Sequence, residues 1–126
     1  MTTILVVDDE APIVDLVRFT LEDAEVRVVE ASDGAEALVL ARRIKPDLVL
    51  LDVHMPRLDG LEVCRQLTQG PATRHIPVIL ISAKASQISG EQVAAAGAFA
   101  SLQKPYDPSD LRQRMQAALR ETGPVT

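Results

Sequence analysis

Short apolar runs alternate with amphipathic stretches along the whole chain. Four of these runs have the length of a strand and are rich in Val, Ile and Leu, and a fifth short stretch, SLQ, ends at Lys104. The continuous runs are typical of strands that are buried on both faces of a sheet, whereas the alternating run VRVVEA indicates a strand near an edge. The pattern therefore predicts strands at residues 4–7, 26–31, 48–51, 78–81 and 101–103.

Helical spacing and helix-start signals fill the intervals between these strands. Apolar residues recur at 13, 16, 17, 20 and 21 after Pro12, which suits a first helical turn. Capping-box patterns begin two further helices, at Asp33 with Glu36 and at Asp59 with Glu62. We expect these helices to reach about residues 44 and 69.

The sequence predicts the fourth helix less strongly than the fifth. The fourth, over residues 86–96, is expected to be weak and mobile because Gly90 lies inside it, and Gly97 is its natural stop. Asp107 and Pro108 begin the last helix. Its apolar stripe is Leu111, Met115, Ala118 and Leu119.

Five successive strand–helix units predict one α/β domain. Such alternation requires a parallel sheet with helices on both faces, joined by right-handed crossovers. We assign residues 1–121 to this domain and residues 122–126 to a flexible tail or the start of a linker.

Composition narrows the functional classes. The chain has 126 residues, of which 47% are hydrophobic and 25% charged, and its net charge is −5. These values exclude a disordered chain and disfavour direct binding to nucleic acid or to anionic membranes. The lone Cys64 is expected to pack in the core and excludes an internal disulfide. With no signal peptide or long apolar segment, the expected location is the cytoplasm.

Polar side chains follow the predicted strands at the edge where such sheets bind ligands. They are Asp8, Asp9 and Glu10 after the first strand, Asp52 after the third, Ser82 after the fourth and Lys104 after the fifth. Converging carboxylates attract a hard divalent cation such as Mg²⁺, and a lysine neutralises a further anionic oxygen. This chemistry suits phosphoryl transfer, with the Asp52 carboxylate as nucleophile.

Four motifs in order resemble the receiver domain of two-component response regulators. They are ILVVDDE at 4–10, PDLVLLDVHMPRLDG at 46–60, VILISAKAS at 78–86 and LQKPYD at 102–107. The resemblance covers nearly the whole chain and implies the flavodoxin-like (βα)5 fold, with strand order 2-1-3-4-5. It also implies a signalling phosphoacceptor, with self-directed phosphotransfer and later hydrolysis, rather than a metabolic enzyme.

The resemblance assigns a role to each matching residue. Asp52 matches the phosphoacceptor, Lys104 the conserved-role lysine and Ser82 the switch hydroxyl. Asp8, Asp9, Asp52 and the backbone carbonyl of His54 match the ligands of Mg²⁺ (or Mn²⁺). The side chains of His54 and Lys84 match positions that border the phosphate and tune its hydrolysis. The bond between Lys104 and Pro105 matches one that is often cis in the family.

One switch position departs from the family pattern. Ser101 stands three residues before Lys104, where the family usually has an aromatic ring that turns inward on activation. Phe99 is a candidate substitute, and signalling through the order of the fourth helix is another route. Phe99 and Ala100 are apolar where transcription-factor receivers often carry acids that pair across a dimer, so we expect a monomer or a weak dimer.

The resemblance implies phosphate transfer from a histidine kinase or a histidine phosphotransfer protein, and signalling to an effector protein or to a missing output domain. A pure interaction module that signals without phosphate is the main alternative, favoured only by Ser101. A Mg²⁺-dependent phosphohydrolase would need a general acid–base and a substrate cap, which the sequence does not indicate. A flavin phosphate would be repelled by the acidic loop after the first strand.

Overall fold

In a computed structural model, the chain folds into a five-stranded parallel sheet with helices on both faces. The structure describes residues 1–55, 58–83, 88–104 and 106–122. The strands are β1 (Thr2–Val7), β2 (Val26–Ala31), β3 (Leu48–Asp52), β4 (Val78–Ala83) and β5 (Ala100–Lys104). The helices are α1 (Ala11–Leu21), α2 (Gly34–Ile44), α3 (Gly60–Gln69), α4 (Gly90–Ala95) and α5 (Pro108–Thr122).

The strand order β2-β1-β3-β4-β5 is the order expected of a flavodoxin-like sheet, which confirms the predicted fold. The edge position of β2 also agrees with its alternating sequence. Between β3 and α3, His54–Met55 pairs with Leu58–Asp59 in a separate two-residue antiparallel ladder.

The strand register brings the predicted site residues to one edge of the sheet. Val7 pairs with Leu51, so Asp8 and Asp52 are the next residues of two adjacent strands. Ala83 pairs with Lys104 on the other side of the sheet. Because all five strands are parallel, their carboxyl ends meet at this edge.

Two apolar clusters, one on each face of the sheet, provide the core. The α2/α3 cluster includes Leu5, Leu51 and Leu80, and the α1/α5 cluster includes Leu50 and Leu111. Every residue of β3 is buried, as its continuous apolar run predicts. The central strand β3 therefore contributes residues to both clusters, and this packing fixes the position of Asp52 at its end.

Side-chain caps begin four helices, although not all as the sequence predicts. At the predicted start of α5, the Asp107 carboxylate accepts from the Ser109 amide at 2.7 Å. The Asp33 carboxylate accepts from the Glu36 amide at 2.8 Å. Asp59 caps α3 through the Leu61 amide; Glu62 forms an ion pair with Arg65. The reciprocal capping box lies instead at the start of α4, between Ser89 and Gln92.

The fourth helix is shorter than predicted and begins differently. It starts at Gly90, so this glycine is its first residue and not an interior one. The predicted start at Ser86 falls in 84–87, outside the described residues. Gly97 has a φ of 77° and follows the helix end, which confirms it as the stop.

The buried face of α1 is also shifted from the prediction. Val14, Val17 and Leu21 are buried, while Leu16 is 40% exposed. The α5 stripe is confirmed, since Leu111, Met115 and Ala118 are buried and Leu119 packs against the same cluster. The domain boundary at residue 121 stays a prediction, because α5 continues to Thr122 and residues 123–126 lie outside the described part of the chain.

Candidate functional site

Lys104 joins the two buried carboxylates at the carboxyl edge of the sheet. Its Nζ atom lies 3.2 Å from Asp8 Oδ2 and 3.3 Å from Asp52 Oδ2. The Asp8 and Asp52 side chains are 2% and 4% exposed, and that of Lys104 is 17% exposed. Three strands thus place two acids and one ammonium group in mutual contact and largely away from water.

Backbone amides hold the second oxygen of each carboxylate. The Glu10 amide donates to Asp8 Oδ1 at 2.9 Å, and the His54 amide donates to Asp52 Oδ1 at 2.9 Å. Each acid accepts from an amide two residues further along the chain, a local turn that Asp readily forms. Amide and ammonium donors together fix the orientation of both carboxylates.

Four acids at this edge fit a divalent metal. Oxygen atoms of Asp8, Asp9, Glu10 and Asp52 all lie within 4.8 Å of one another. Asp9 and Glu10 are exposed, whereas Asp8 and Asp52 are buried, so the cluster opens to solvent on one side. Carboxylate oxygens and room for water are what Mg²⁺ requires.

Glu10 makes a contact in this cluster that its sequence position does not specify. The sequence places it with Asp8 and Asp9 after the first strand, where the alternative is a charge at the start of α1 with no further role. In the structure its Oε1 lies 3.8 Å from Lys104 Nζ. Its position directly after Asp8 and Asp9 was the available signal, because three successive acids follow the end of β1.

Burial and neighbouring charges shift the ionisation of the site. Desolvation raises the pKa of Asp8, with a contribution from the nearby Asp52 charge, despite the Glu10 amide and Lys104. Burial lowers the pKa of Lys104, but the charges of Asp52 and Asp8 outweigh it and raise the value overall. The site therefore keeps Lys104 charged, and a positive partner beside Asp8 favours its ionised form.

Ser82 and Ser101 border a shared cleft. Ser82 is 4% exposed near the end of β4 and pairs in register with Gln103. The cleft has a volume of about 310 Å³ and is lined by Ser82, Ile88, Ser101, Leu102, Gln103 and Arg114. Arg114 reaches the Ser101 carbonyl oxygen at 3.4 Å.

Phe99 lies at the other end of β5 from Lys104. Its amide donates to the carbonyl of Val78, the first residue of β4, and its ring packs against the α1/α5 cluster. Val78 and Ser82 are four residue steps apart along β4, about 13 Å at the usual rise. The structure therefore does not bring Phe99 to the site, and its switching role stays a prediction.

The remaining predicted residues divide between exposed, undescribed and structural positions. His54 is exposed, as expected of its side chain. Lys84 and the peptide bond to Pro105 lie outside the described residues. Cys64 is fully buried, and its thiol donates to the Ala96 carbonyl at 3.4 Å, which confirms its packing role.

Gly60 is a residue of the site's framework that the sequence interpretation left without a role. A Cβ atom at this position would lie 2.5 Å from Val53 Cα and 2.7 Å from the Asp52 carbonyl oxygen. The Gly60 amide also donates to the Val53 carbonyl at 3.2 Å. The start of α3 therefore packs directly on the backbone of Asp52, at a distance that only glycine permits.

Comparison with known proteins agrees with this geometry. The family model of the response regulator receiver domain matches residues 4–116. This chain belongs to that family.

The receiver domain is 42% identical over 119 residues to the alkaline phosphatase synthesis transcriptional regulatory protein PhoP of Bacillus subtilis, covering 94% of this chain and 49% of PhoP. It is 39% identical to the phosphate regulon transcriptional regulatory protein PhoB of Pseudomonas aeruginosa, covering 97% of this chain and 53% of PhoB. The chain thus spans about half the length of these relatives.

Solved structures share the architecture of the receiver domain. The chemotaxis response regulator CheY4 of Vibrio cholerae superposes with a TM-score of 0.85 at 32% identity, over 94% of this chain and 99% of CheY4. Within the described ranges of the receiver domain, no helix has both the length and the apolar character needed to cross a membrane.

Proposed function

We propose that this receiver domain accepts a phosphoryl group on Asp52 in the presence of Mg²⁺. The contact of Lys104 Nζ with both Asp8 and Asp52 supports this proposal most directly. It puts a fixed positive charge beside the proposed nucleophile and beside the acid that would hold the metal. Receiver domains are signalling domains that bind Mg²⁺ at such an acidic site.

The proposed metal ligands are Asp8, Asp9, Asp52 and the backbone carbonyl of His54. Their donors are hard oxygen atoms, and three of them are carboxylates in the four-acid cluster. The bound Mg²⁺ supplies positive charge that neutralises phosphoryl oxygens. Glu10 adds a further carboxylate at the solvent side of the cluster.

In the proposed transfer, an Asp52 carboxylate oxygen attacks the phosphorus atom of the donor. The new bond joins this oxygen to phosphorus, while the bond from phosphorus to the donor's leaving atom breaks and the leaving group keeps the electron pair. Lys104 donates to a phosphoryl oxygen, and the Ser82 hydroxyl provides a second donor. Later attack by water breaks the bond to Asp52 and releases inorganic phosphate.

The proposed phosphoryl donor and the proposed target of the signal follow from family membership. Response regulators work with histidine kinases and with effector outputs, and the PhoP and PhoB relatives are named as transcriptional regulators. We propose that a histidine kinase or a histidine phosphotransfer protein supplies the phosphoryl group, and that phosphorylation changes binding to an effector protein or output domain.

Intact-protein mass after incubation with acetyl phosphate and Mg²⁺ tests the proposal. Wild type is expected to gain one phosphoryl group, with acetate as the leaving group. The gain is expected to vanish with EDTA and in Asp52→Asn. Asp15→Asn, which alters an exposed acid on α1, serves as the matched control and is expected to keep the gain.

The same measurement tests the alternative function, an interaction module that signals without phosphate. A folded wild-type protein that gains no mass from acetyl phosphate or from a phosphorylated donor protein would contradict the proposed function. Among the described residues, the four-acid cluster and the Lys104 contacts favour phosphoacceptance, and no contact favours the alternative.

A further inference from the structure

The Tyr106 hydroxyl is buried beside the site without a hydrogen-bond partner among the described residues. The residue follows Lys104 by two positions, and its ring packs against the α1/α5 cluster. Buried hydroxyl groups in proteins are nearly always paired, so an orphaned one calls for a physical explanation. Tyr106 is also the single tyrosine of the chain.

The charges of the site reach this hydroxyl. Burial raises the pKa of Tyr106, the Lys104 charge opposes that rise, and the charges of Asp8 and Asp52 add to it. The phenol therefore lies within electrostatic range of all three groups. Of these, only the carboxylates can accept its proton in a hydrogen bond, because the ammonium group has no acceptor.

A change at Lys104 would create an acceptor that matches this donor. In the structure Asp8 Oδ2 accepts from Lys104, and Asp8 Oδ1 accepts from the Glu10 amide. If Lys104 turns toward phosphoryl oxygens on Asp52, the buried Asp8 Oδ2 loses its ammonium hydrogen-bond donor, and a Mg²⁺ ion at the acid cluster would balance its charge without donating a hydrogen bond. One rearrangement then leaves both a buried donor and a buried acceptor in need of a partner.

We propose that Tyr106 is a positioning residue whose hydroxyl donates to Asp8 Oδ2 when Lys104 moves to a phosphoryl group on Asp52. This inference rests on the proposed function and extends it. It couples occupancy of the site to the α1/α5 cluster, against which the Tyr106 ring packs. It also gives the receiver an aromatic residue that responds at the site, where Ser101 has no ring.

The lone tyrosine makes this coupling measurable by near-ultraviolet absorbance and circular dichroism. The chain has no tryptophan, so the tyrosine band reports on Tyr106 alone. Addition of Mg²⁺ and beryllium fluoride, an acyl-phosphate mimic, is expected to shift this band in wild type and not in Asp52→Asn. The double variant Phe19→Tyr/Tyr106→Phe puts the lone tyrosine on α1, where Phe19 is 88% exposed, and its band is expected not to shift.

Tyr106→Phe tests the energetic role, since it removes only the hydroxyl. We expect beryllium fluoride, measured by calorimetry with Mg²⁺, to bind about tenfold more weakly, as for loss of one hydrogen bond to a charged group. The resting protein is expected to be at least as stable as wild type, because an unpaired buried hydroxyl is removed.

Two results separate this inference from the proposed function. A wild-type protein that gains phosphoryl mass, yet shows an unchanged tyrosine band or equal binding in Tyr106→Phe, would overturn the role of Tyr106 alone. A wild-type protein that gains no mass from either donor would overturn the proposed function and this inference together.

Discussion

Lys104 contacts three acids at the carboxyl edge of the sheet, and the Asp8 and Asp52 carboxylates among them are buried. Its ammonium group is shared between Asp8 and Asp52, which repel each other when both are ionised. Removing one member of a buried charged group leaves the others without compensation, and that loss usually exceeds the net value of the ion pair. The stability of the resting site therefore depends on this one lysine.

Lys104→Met keeps the aliphatic stem and removes the charge. In EDTA at neutral pH we expect the free energy of unfolding to fall by about 1–3 kcal/mol, since two buried carboxylates lose their neutralising partner. Urea denaturation measures the change. Mg²⁺ is expected to restore more stability to this variant than to wild type, because the metal replaces the missing charge.

The double variant Lys104→Met/Asp52→Asn provides the control for Lys104→Met. With one carboxylate neutral, the lysine charge has less to compensate, so its removal is expected to cost less than in the wild-type background. Equal costs in both backgrounds would show that Lys104 acts through packing and not through charge.

Cys64 has an ionisation that is tied to its burial. Desolvation raises the pKa of its thiol from 9.0 to about 12. A group whose folded pKa is raised contributes stability that is lost as the pH rises through that value. We therefore expect the free energy of unfolding to fall between about pH 9 and pH 12, with a shallower slope in Cys64→Ala.

Thiol alkylation at pH 8 checks the same burial of Cys64. The native protein is expected to react far more slowly than the urea-unfolded protein, because the thiolate is both scarce and enclosed. Comparable rates in the two states would contradict the buried, protonated thiol.

At the scale of elements, the start of α3 packs against the backbone of Asp52. Gly60 packs on the Val53 and Asp52 backbone at a distance that no side chain fits. The helix position and the orientation of the site acid are consequently coupled, because neither backbone segment can yield as a flexible side chain would.

Gly60→Ala tests this coupling. We expect a loss of about 1–3 kcal/mol in stability from the forced backbone shift, and about tenfold slower phosphorylation by acetyl phosphate. Gly90→Ala is the matched control, since a Cβ atom there would meet nothing within 4 Å. It is expected to change stability by no more than about 1 kcal/mol and to leave phosphorylation unchanged.

Phosphorylation rates as fast in Gly60→Ala as in Gly90→Ala would contradict the coupling. Chemical denaturation and intact mass on the same samples give both quantities.

The sequence predicted strands more accurately than helix starts. Continuous apolar runs identified β1, β3 and β4 because burial on both faces leaves few alternatives, and the alternating run identified the edge strand β2. Helix starts depend on single side-chain hydrogen bonds, for which several nearby residues compete. Glu62 pairs with Arg65 and not with the backbone of Asp59. Ser89 and Gln92 form a capping box that the sequence pattern did not predict.

At the scale of the whole molecule, two apolar clusters share one sheet. Leu50 and Leu51 are both fully buried neighbours in β3, yet they belong to opposite faces. A protein in which one strand completes both clusters is expected to unfold as a single cooperative unit.

Leu50→Ala and Leu51→Ala test this cooperativity. Each is expected to lower the free energy of unfolding by about 2–5 kcal/mol, with one transition detected by far-ultraviolet circular dichroism and by amide exchange. Phe19→Ala, at an exposed site, is expected to change stability by less than about 0.5 kcal/mol. Separate transitions for the two faces would contradict a shared unit.

Fold topology explains how much of the site the sequence could predict. Parallel strands send their carboxyl ends to one edge, so Asp8, Asp52, Ser82 and Lys104 could be grouped from strand ends alone. Contacts that depend on side-chain length and on backbone approach could not be predicted in this way. The reach of Glu10 to Lys104 and the packing of Gly60 on Asp52 are two such contacts.

The contact between Lys104 and Asp8 joins residues that are 96 positions apart. During synthesis, the first acid leaves the ribosome long before the lysine that neutralises it. An unfinished chain therefore has scattered carboxylates and no assembled acceptor. The Lys104 contacts of the proposed phosphoacceptor site form only when β5 joins the sheet, so we expect uptake of a phosphoryl group to require a folded receiver domain.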